Sequence, residues 1–137
     1  MRDKEIWDLL IEKAKEVLNP REISTHIKAG MVSAAIQSKN GNIYTGVCID
    51  TCSTLGICAE RNAIHTMITN GEDEISKILC IMPNGKIGGV PCGACRELIM
   101  QLGKDAKNIE ILVDGKTYET KNMSELLPNW WGKSDSN

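Results

Sequence analysis

The sequence predicts an α/β fold, a three-layer α/β/α sandwich on a five-stranded mixed sheet, and three observations carry that prediction. The hydrophobic periodicities run β-β-α-β-α-β-β behind a leading amphipathic helix. The dipeptide Asn40-Gly41 joins two β-compatible stretches, which makes the first two strands an antiparallel hairpin. The mostly apolar run from Ile75 to Met82 reads as a strand covered on both faces, as strands in the middle of a layered sheet are.

Taken in order, residues 3–18 place Ile6, Trp7, Leu10, Ile11, Ala14, Val17 and Leu18 three and four apart on one helix face, and Asn19-Pro20 stops that helix. Met31 to Gln37 and Asn42 to Ile49 supply the hairpin strands. Residues 58–69 predict a helix with Ala63, Ile64, Met67 and Ile68 inward, closed by Asn70-Gly71. After the strand at 75–82, a helix from about Cys92 to Leu102 ends at Gly103, and Ile109 to Val113 forms the next strand. Asp114-Gly115 then turns the chain into a short strand around Thr117 to Glu119. No repeat or linker interrupts this order, so residues 1–137 are expected to form one domain, with 133–137 a frayed tail.

Composition narrows the function. A chain of 137 residues, 42% hydrophobic and 25% charged, has the size of one ordinary globular domain. No apolar run approaches the ~20 residues that cross a bilayer, and the charged opening Arg2-Asp3-Lys4-Glu5 breaks any signal-peptide core, so a cytoplasmic protein with no membrane partner is expected. A net charge of -2 with no basic run argues against a nucleic-acid partner. Phenylalanine is absent, so a stacking surface for a flat ligand has few candidates beyond Trp130 and Trp131.

Six cysteines stand out: Cys48, Cys52, Cys58, Cys80, Cys92 and Cys95. In a reducing compartment such clusters bind metal or do chemistry more often than they form disulfides. Cys92 and Cys95 lie at i and i+3 at the start of one expected helix, and Cys58 opens the other, so three sulfurs can meet at one point. Helix N-termini favour thiolates, and three thiolates leave the fourth tetrahedral position of Zn2+ open for a water, as in a catalytic rather than a structural site. Glu60, two residues after Cys58, can take a proton from that water and pass it to a leaving amine. The competing readings are three buried small hydrophobes, or a structural zinc completed by Cys52, Asp50, His65 or Glu60. Cys80 is expected in the core, Cys48 and Cys52 in packing, His26 and the acidic run Glu72-Asp73-Glu74 at the surface, and His65 in packing or at an interface.

Cys58-Ala59-Glu60-Arg61-Asn62-Ala63 and Pro91-Cys92-Gly93-Ala94-Cys95-Arg96 resemble the small three-cysteine zinc cytidine deaminases. Ala34-Ala35-Ile36, Thr45-Gly46-Val47 and Glu125-Leu126-Leu127-Pro128 extend the likeness over roughly residues 30–131. The resemblance implies one zinc per chain, a homotetramer or alternatively a dimer, hydrolytic deamination of a small cytosine-type substrate such as cytidine or deoxycytidine, and a place in pyrimidine salvage. It also implies that Arg61 donates hydrogen bonds to the thiolates, and that the backbone near Ala59 and Val90-Pro91 reads the pyrimidine edge. The family's sugar-binding Gly-x-Asn-x-Glu becomes Gly46-Val47-Cys48-Ile49-Asp50 here, so Cys48 and Asp50 stand at the sugar positions with a different chemistry. The ring-contacting Phe of relatives falls near Gly30, and Trp131 follows Leu127-Pro128 where relatives often carry a Phe. Blasticidin S deaminases resemble the same motifs and give the second reading, and a non-catalytic zinc protein of this fold gives the third.

Overall fold

The computed structural model describes residues 2–103 and 105–132. Helix α1 (Asp3–Val17) buries Trp7, Leu10, Ile11 and Ala14, and carries Asp3 and Glu5 in its first turn and Lys15 in its last, charges that complement the helix dipole. Then come β1 (Arg21–Glu22), β2 (Lys28–Ser38), β3 (Ile43–Asp50), α2 (Ala59–Thr69), β4 (Ile75–Ile81), α3 (Gly93–Gln101), β5 (Glu110–Asp114), β6 (Glu119–Asn122) and α4 (Met123–Leu126).

The sheet runs β3-β2-β4-β5-β6, with β1 laid against the first residues of β2. Only β4 and β5 pair in parallel, so the sheet is mixed, as expected. Period-two alternation sorts its side chains into two cores. Ala34, Ile36, Ile78, Cys80 and Ile111 pack with Ala63, Ile64 and Met67 of α2 and Ile99 of α3. Ala35, Leu79, Ile81 and Leu112 face Trp7, Leu10, Ile11 and Ala14 of α1. The result is the three-layer sandwich that the periodicities predict.

Several details differ from the expectation. The sheet has six strands rather than five, because the two-residue β1 is too short to leave a periodic signal. The last strand lies at Glu119–Asn122, later than its composition suggests, because Tyr118 takes a left-handed backbone with φ 60° before pairing begins. Helix α4 escapes the hydrophobic pattern, although Asn122 and Glu125 form a capping box that was present in the sequence. Ile68 is 47% exposed rather than inward. Glu72 is not simply solvated: its carboxylate accepts hydrogen bonds from Asn40, Asn42 and Tyr44 and ties the β2–β3 hairpin to the end of α2.

Two contacts seat α2 for the site. A Cβ on Gly46 would lie 2.4 Å from the Ala63 backbone nitrogen, so glycine lets β3 lie directly against the helix. Asn62 Nδ2 donates to the Val47 carbonyl at 3.0 Å and fixes the helix along the strand.

Candidate active site

Two helices, α2 after β3 and α3 after β4, begin at a cysteine. Cys58 is the N-cap residue of α2 and Cys92 that of α3, while Cys95 sits one turn into α3 and is fully buried. The Cys58 and Cys92 sulfurs are 3.6 Å apart and those of Cys92 and Cys95 are 3.5 Å apart. All three lie within 4.8 Å of one another, and among the described residues no other cysteine, histidine or carboxylate joins the group. Tetrahedral zinc with ~2.3 Å metal–sulfur bonds holds its sulfurs ~3.8 Å apart, so the spacing of this donor set fits that ion. The structural-zinc alternative lacks its fourth ligand here: Cys52, Asp50, His65 and Glu60 all lie outside the cluster.

Electrostatics acts on Cys92 and Cys95 in opposite directions. Partial burial works against an ionised Cys92, but backbone N–H groups of Cys95 and Ala94 and the neighbouring thiols donate to it and hold its pKa below the ordinary thiol value. Burial and the nearby Glu60 carboxylate push Cys95 the other way, so a metal there must displace a firmly held proton. Arg61 Nη2 approaches the Cys58 sulfur at 3.6 Å, and this contact, together with one to Cys95, strengthens the guanidinium's hold on its charge. The Nε of Arg61 is buried with no hydrogen-bond partner among the described residues.

Glu60 lies in the first turn of α2 and is only 7% exposed. Burial raises its carboxyl above the ordinary carboxylate range, which suits a group that must accept a proton and give it back. Ala59, the first helical residue, is buried beside it.

A recess of about 410 Å³ opens next to Cys58, lined by Cys48, Asp50, Thr51, Thr54 and Arg61 among others. The structure thus brings Cys48 and Asp50, at the family's sugar positions, to the same recess as the cluster's first cysteine. Cys48 is buried, and its sulfur accepts the Val32 backbone N–H at 3.2 Å, so its side chain serves a backbone contact that spacing could not reveal. Gly30 cannot stand in for a ring-contacting aromatic: its φ is +83°, and a Cβ there would lie 2.0 Å from the Asn19 carbonyl oxygen. Cys52 is exposed and Cys80 is buried, with burial pushing the Cys80 thiol up to about 12. His26 and His65 are both exposed.

Trp131 is 77% exposed and does not line this recess. Its indole N–H and that of Trp130 both donate to the Glu97 carboxylate, at 3.1 and 3.2 Å to Oε1. Glu97 follows Cys95 by two residues, about 200° around α3, so the tryptophan pair is held across the helix from the thiols. Glu97 leaves no mark in the sequence, because nothing local connects it to tryptophans more than 30 residues away.

Three converging thiols that could hold zinc, with the buried Glu60 carboxylate in the first turn of the helix that Cys58 opens, are the arrangement of zinc-dependent deaminases. A family model, the cytidine and deoxycytidylate deaminase zinc-binding region, matches residues 5–111, and the chain belongs to that family. It is 32% identical over 108 residues to a cytidine deaminase of Halalkalibacterium halodurans, covering 77% of this chain and 80% of that one. A blasticidin-S deaminase of Bacillus cereus is 33% identical over 105 residues, covering 71% and 74%. Among solved structures, the cytidine deaminase of Mycobacterium leprae superimposes with a TM-score of 0.72 at 26% identity, covering 90% of this chain and 98% of that one.

Proposed function

We propose that this protein hydrolytically deaminates a cytosine-type nucleoside such as cytidine or deoxycytidine, releasing ammonia. The observation that carries this reading is the three-thiol cluster with the buried Glu60 in the first turn of the same helix N-terminus. Cys58, Cys92 and Cys95 would hold Zn2+, which when bound supplies the Lewis acidity that makes water a nucleophile near neutral pH. Glu60 takes one proton from the attacking water and delivers it to the ring nitrogen, then takes the remaining proton of the added hydroxyl and gives it to the amine, which leaves as ammonia while the ring carbonyl forms. Arg61 offsets the excess negative charge of three thiolates. The backbone at Ala59 and at Val90-Pro91 reads the pyrimidine edge, and Cys48 and Asp50 face the group attached to the ring.

The pattern of exposed apolar side chains supports a homo-oligomer, a tetramer or alternatively a dimer: Leu55 and Trp131 are 79% and 77% exposed. Trp131 contacts substrate in this reading only from a neighbouring copy, since Glu97 holds it on the far side of α3. The two cores on one continuous sheet support a single domain over the described residues, and the expected frayed tail, 133–137, lies outside them. No helix among the described residues is long and apolar enough to cross a membrane, and a cytoplasmic place in pyrimidine salvage with no nucleic-acid partner agrees with the acidic composition.

The second reading, a deaminase of a modified cytosine compound such as blasticidin S, is supported by the 33% identity to the blasticidin-S deaminase of Bacillus cereus. Ammonia release from zinc-loaded protein on cytidine, deoxycytidine, free cytosine, blasticidin S and adenine and guanine nucleosides tests both. Turnover of cytidine or deoxycytidine supports the first reading and of blasticidin S alone the second. Zinc retained with no turnover at all leaves a metal-bearing protein that does not catalyse.

A further inference from the structure

Three asparagines precede a glycine in this chain, in Asn40-Gly41, Asn70-Gly71 and Asn84-Gly85, and all three are exposed. An asparagine amide is open to attack by the backbone nitrogen of the next residue, and a glycine there leaves that nitrogen uncovered. In each pair a Cβ on the glycine would meet nothing within 4 Å. Each glycine N–H donates at 2.9 Å to the carbonyl three residues back, Gly41 to Ser38, Gly71 to Ile68 and Gly85 to Met82. In sequence, in space and in backbone hydrogen bonding the three pairs are alike.

Their side chains are not. Asn40 Nδ2 donates to the Glu72 carboxylate at 3.0 Å, within the clamp that ties the β2–β3 hairpin to the end of α2. Asn70 closes α2, and its Nδ2 donates to the Thr66 carbonyl at 2.8 Å. To bring Cγ onto the next backbone nitrogen, either side chain must give up the bond that holds its amide. Asn84 Nδ2 has no partner among the described residues, and its Oδ1 accepts the Lys86 backbone N–H at 3.0 Å. The ring closed by that bond contains both the Asn84 Cγ and the Gly85 nitrogen, so the side chain is already folded toward the atom that attacks. The same N–H stands at the oxygen where negative charge develops as the nitrogen adds. A recess of about 530 Å³ between this turn and Asp114-Gly115-Lys116 admits water.

We infer that Asn84 is a self-modification site, converting through a succinimide to aspartate and isoaspartate, while Glu72 protects Asn40 and the Thr66 carbonyl protects Asn70. The Gly85 nitrogen gives up its proton and bonds to Asn84 Cγ. The Cγ–Nδ2 bond breaks, and the amide nitrogen leaves with that proton as ammonia. Water then opens the ring. Addition at Cγ yields aspartate, and addition at the Asn84 main-chain carbonyl carbon yields isoaspartate, whose backbone runs through Cβ and Cγ and is one methylene longer. Nothing is oxidised or reduced, and neither zinc nor a nucleoside takes part, so the conversion is independent of the deaminase reading. The altered turn lies on the connection from β4 to Cys92.

The test ages the zinc-loaded protein in 18O-labelled water at mildly alkaline pH, digests it with a protease active in acid, and reads the peptides by mass spectrometry. Each conversion during ageing leaves one heavy oxygen in the product. Asn84 is expected to convert at least about tenfold faster than Asn40 or Asn70. In Glu72→Ala the Asn40 amide loses its acceptor, and its rate should rise to within about threefold of that at Asn84, whose own rate stays unchanged. In urea-unfolded wild type all three rates should lie within about threefold of one another, because the folded partners are gone. No conversion at Asn84, or conversion at Asn40 or Asn70 as fast as at Asn84 in the folded protein, overturns the inference. A tenfold preference that persists in urea does so too, since it would then belong to the sequence and not to the structure. An unchanged Asn40 rate in a folded Glu72→Ala protein overturns the protective role of Glu72, and if that variant does not fold, the folded and unfolded wild type decide.

Discussion

Val32 donates its backbone N–H to the Cys48 sulfur at 3.2 Å, in the segment where β2 slips its register against β3 between Ala29 and Ser33. A register slip leaves ladder groups without their usual partners, and a buried unpaired N–H costs about 1–3 kcal/mol. Cys48→Ala removes the acceptor and is expected to lower stability by about that amount in a denaturant titration. Cys48→Asn keeps an acceptor for Val32 and turns an amide N–H toward the recess, so it should lower KM for cytidine. An unchanged KM would detach residue 48 from sugar recognition.

Arg61 reaches the Cys58 sulfur at 3.6 Å from within the first turn of α2. Arg61→Ala removes the positive charge that offsets the thiolates while leaving all three donors in place. With zinc supplied in excess, kcat is expected to fall about 10–100-fold. Zinc content measured on the same protein should stay near one per chain.

Gly46 is irreplaceable for a steric reason. Its absent Cβ would sit 2.4 Å from the Ala63 nitrogen and 2.8 Å from the Ala59 carbonyl oxygen, both backbone atoms of the helix that carries Glu60. Gly46→Ala must push α2 away from β3 and should cost about 1–3 kcal/mol or more. A melting temperature equal to that of the wild type would show that the strand and helix do not approach this closely.

The Glu72 clamp gives a pH dependence with a definite sign. The hydrogen bond from Tyr44, followed by those from Ser38, Asn42 and Asn40, holds the Glu72 carboxyl at about 2, below its ordinary 4.5. A depressed folded-state pKa adds stability above the unfolded value, and that contribution is lost as pH falls from about 4.5 toward about 2. Glu72→Gln should therefore be less stable than the wild type at pH 7, and the gap should close across this acid window. A gap that stays constant to pH 2 would mean that the carboxylate's charge plays no part.

The chemistry-bearing residues were legible in the sequence because their constraint is local. Cys92 and Cys95 one helical turn apart, and Cys58 two residues before Glu60, carry the geometry in their spacing. The two cores were legible for the same reason, as periods of two and of 3.6 residues. What stayed hidden depends on partners distant in the chain. The engagement of Cys48 with Val32 needs the slip in β2, and the seating of both tryptophans on Glu97 joins α3 to residues beyond α4. The Glu72 clamp likewise gathers Asn40, Asn42 and Tyr44 from about 30 residues away, so the acidic run reads as a solvated loop until the hairpin is folded beside it.

The proposed reaction requires Glu60 to move protons at a centre held by Cys58, Cys92 and Cys95. Zinc content and ammonia release from the preferred cytosine compound, measured on one preparation of wild type and of Glu60→Ala, test it most directly. About one zinc per chain is expected in both proteins, with a loss of ~10²–10⁴-fold or more in kcat for Glu60→Ala. A Glu60→Ala protein that holds zinc and turns over at the wild-type rate would contradict it.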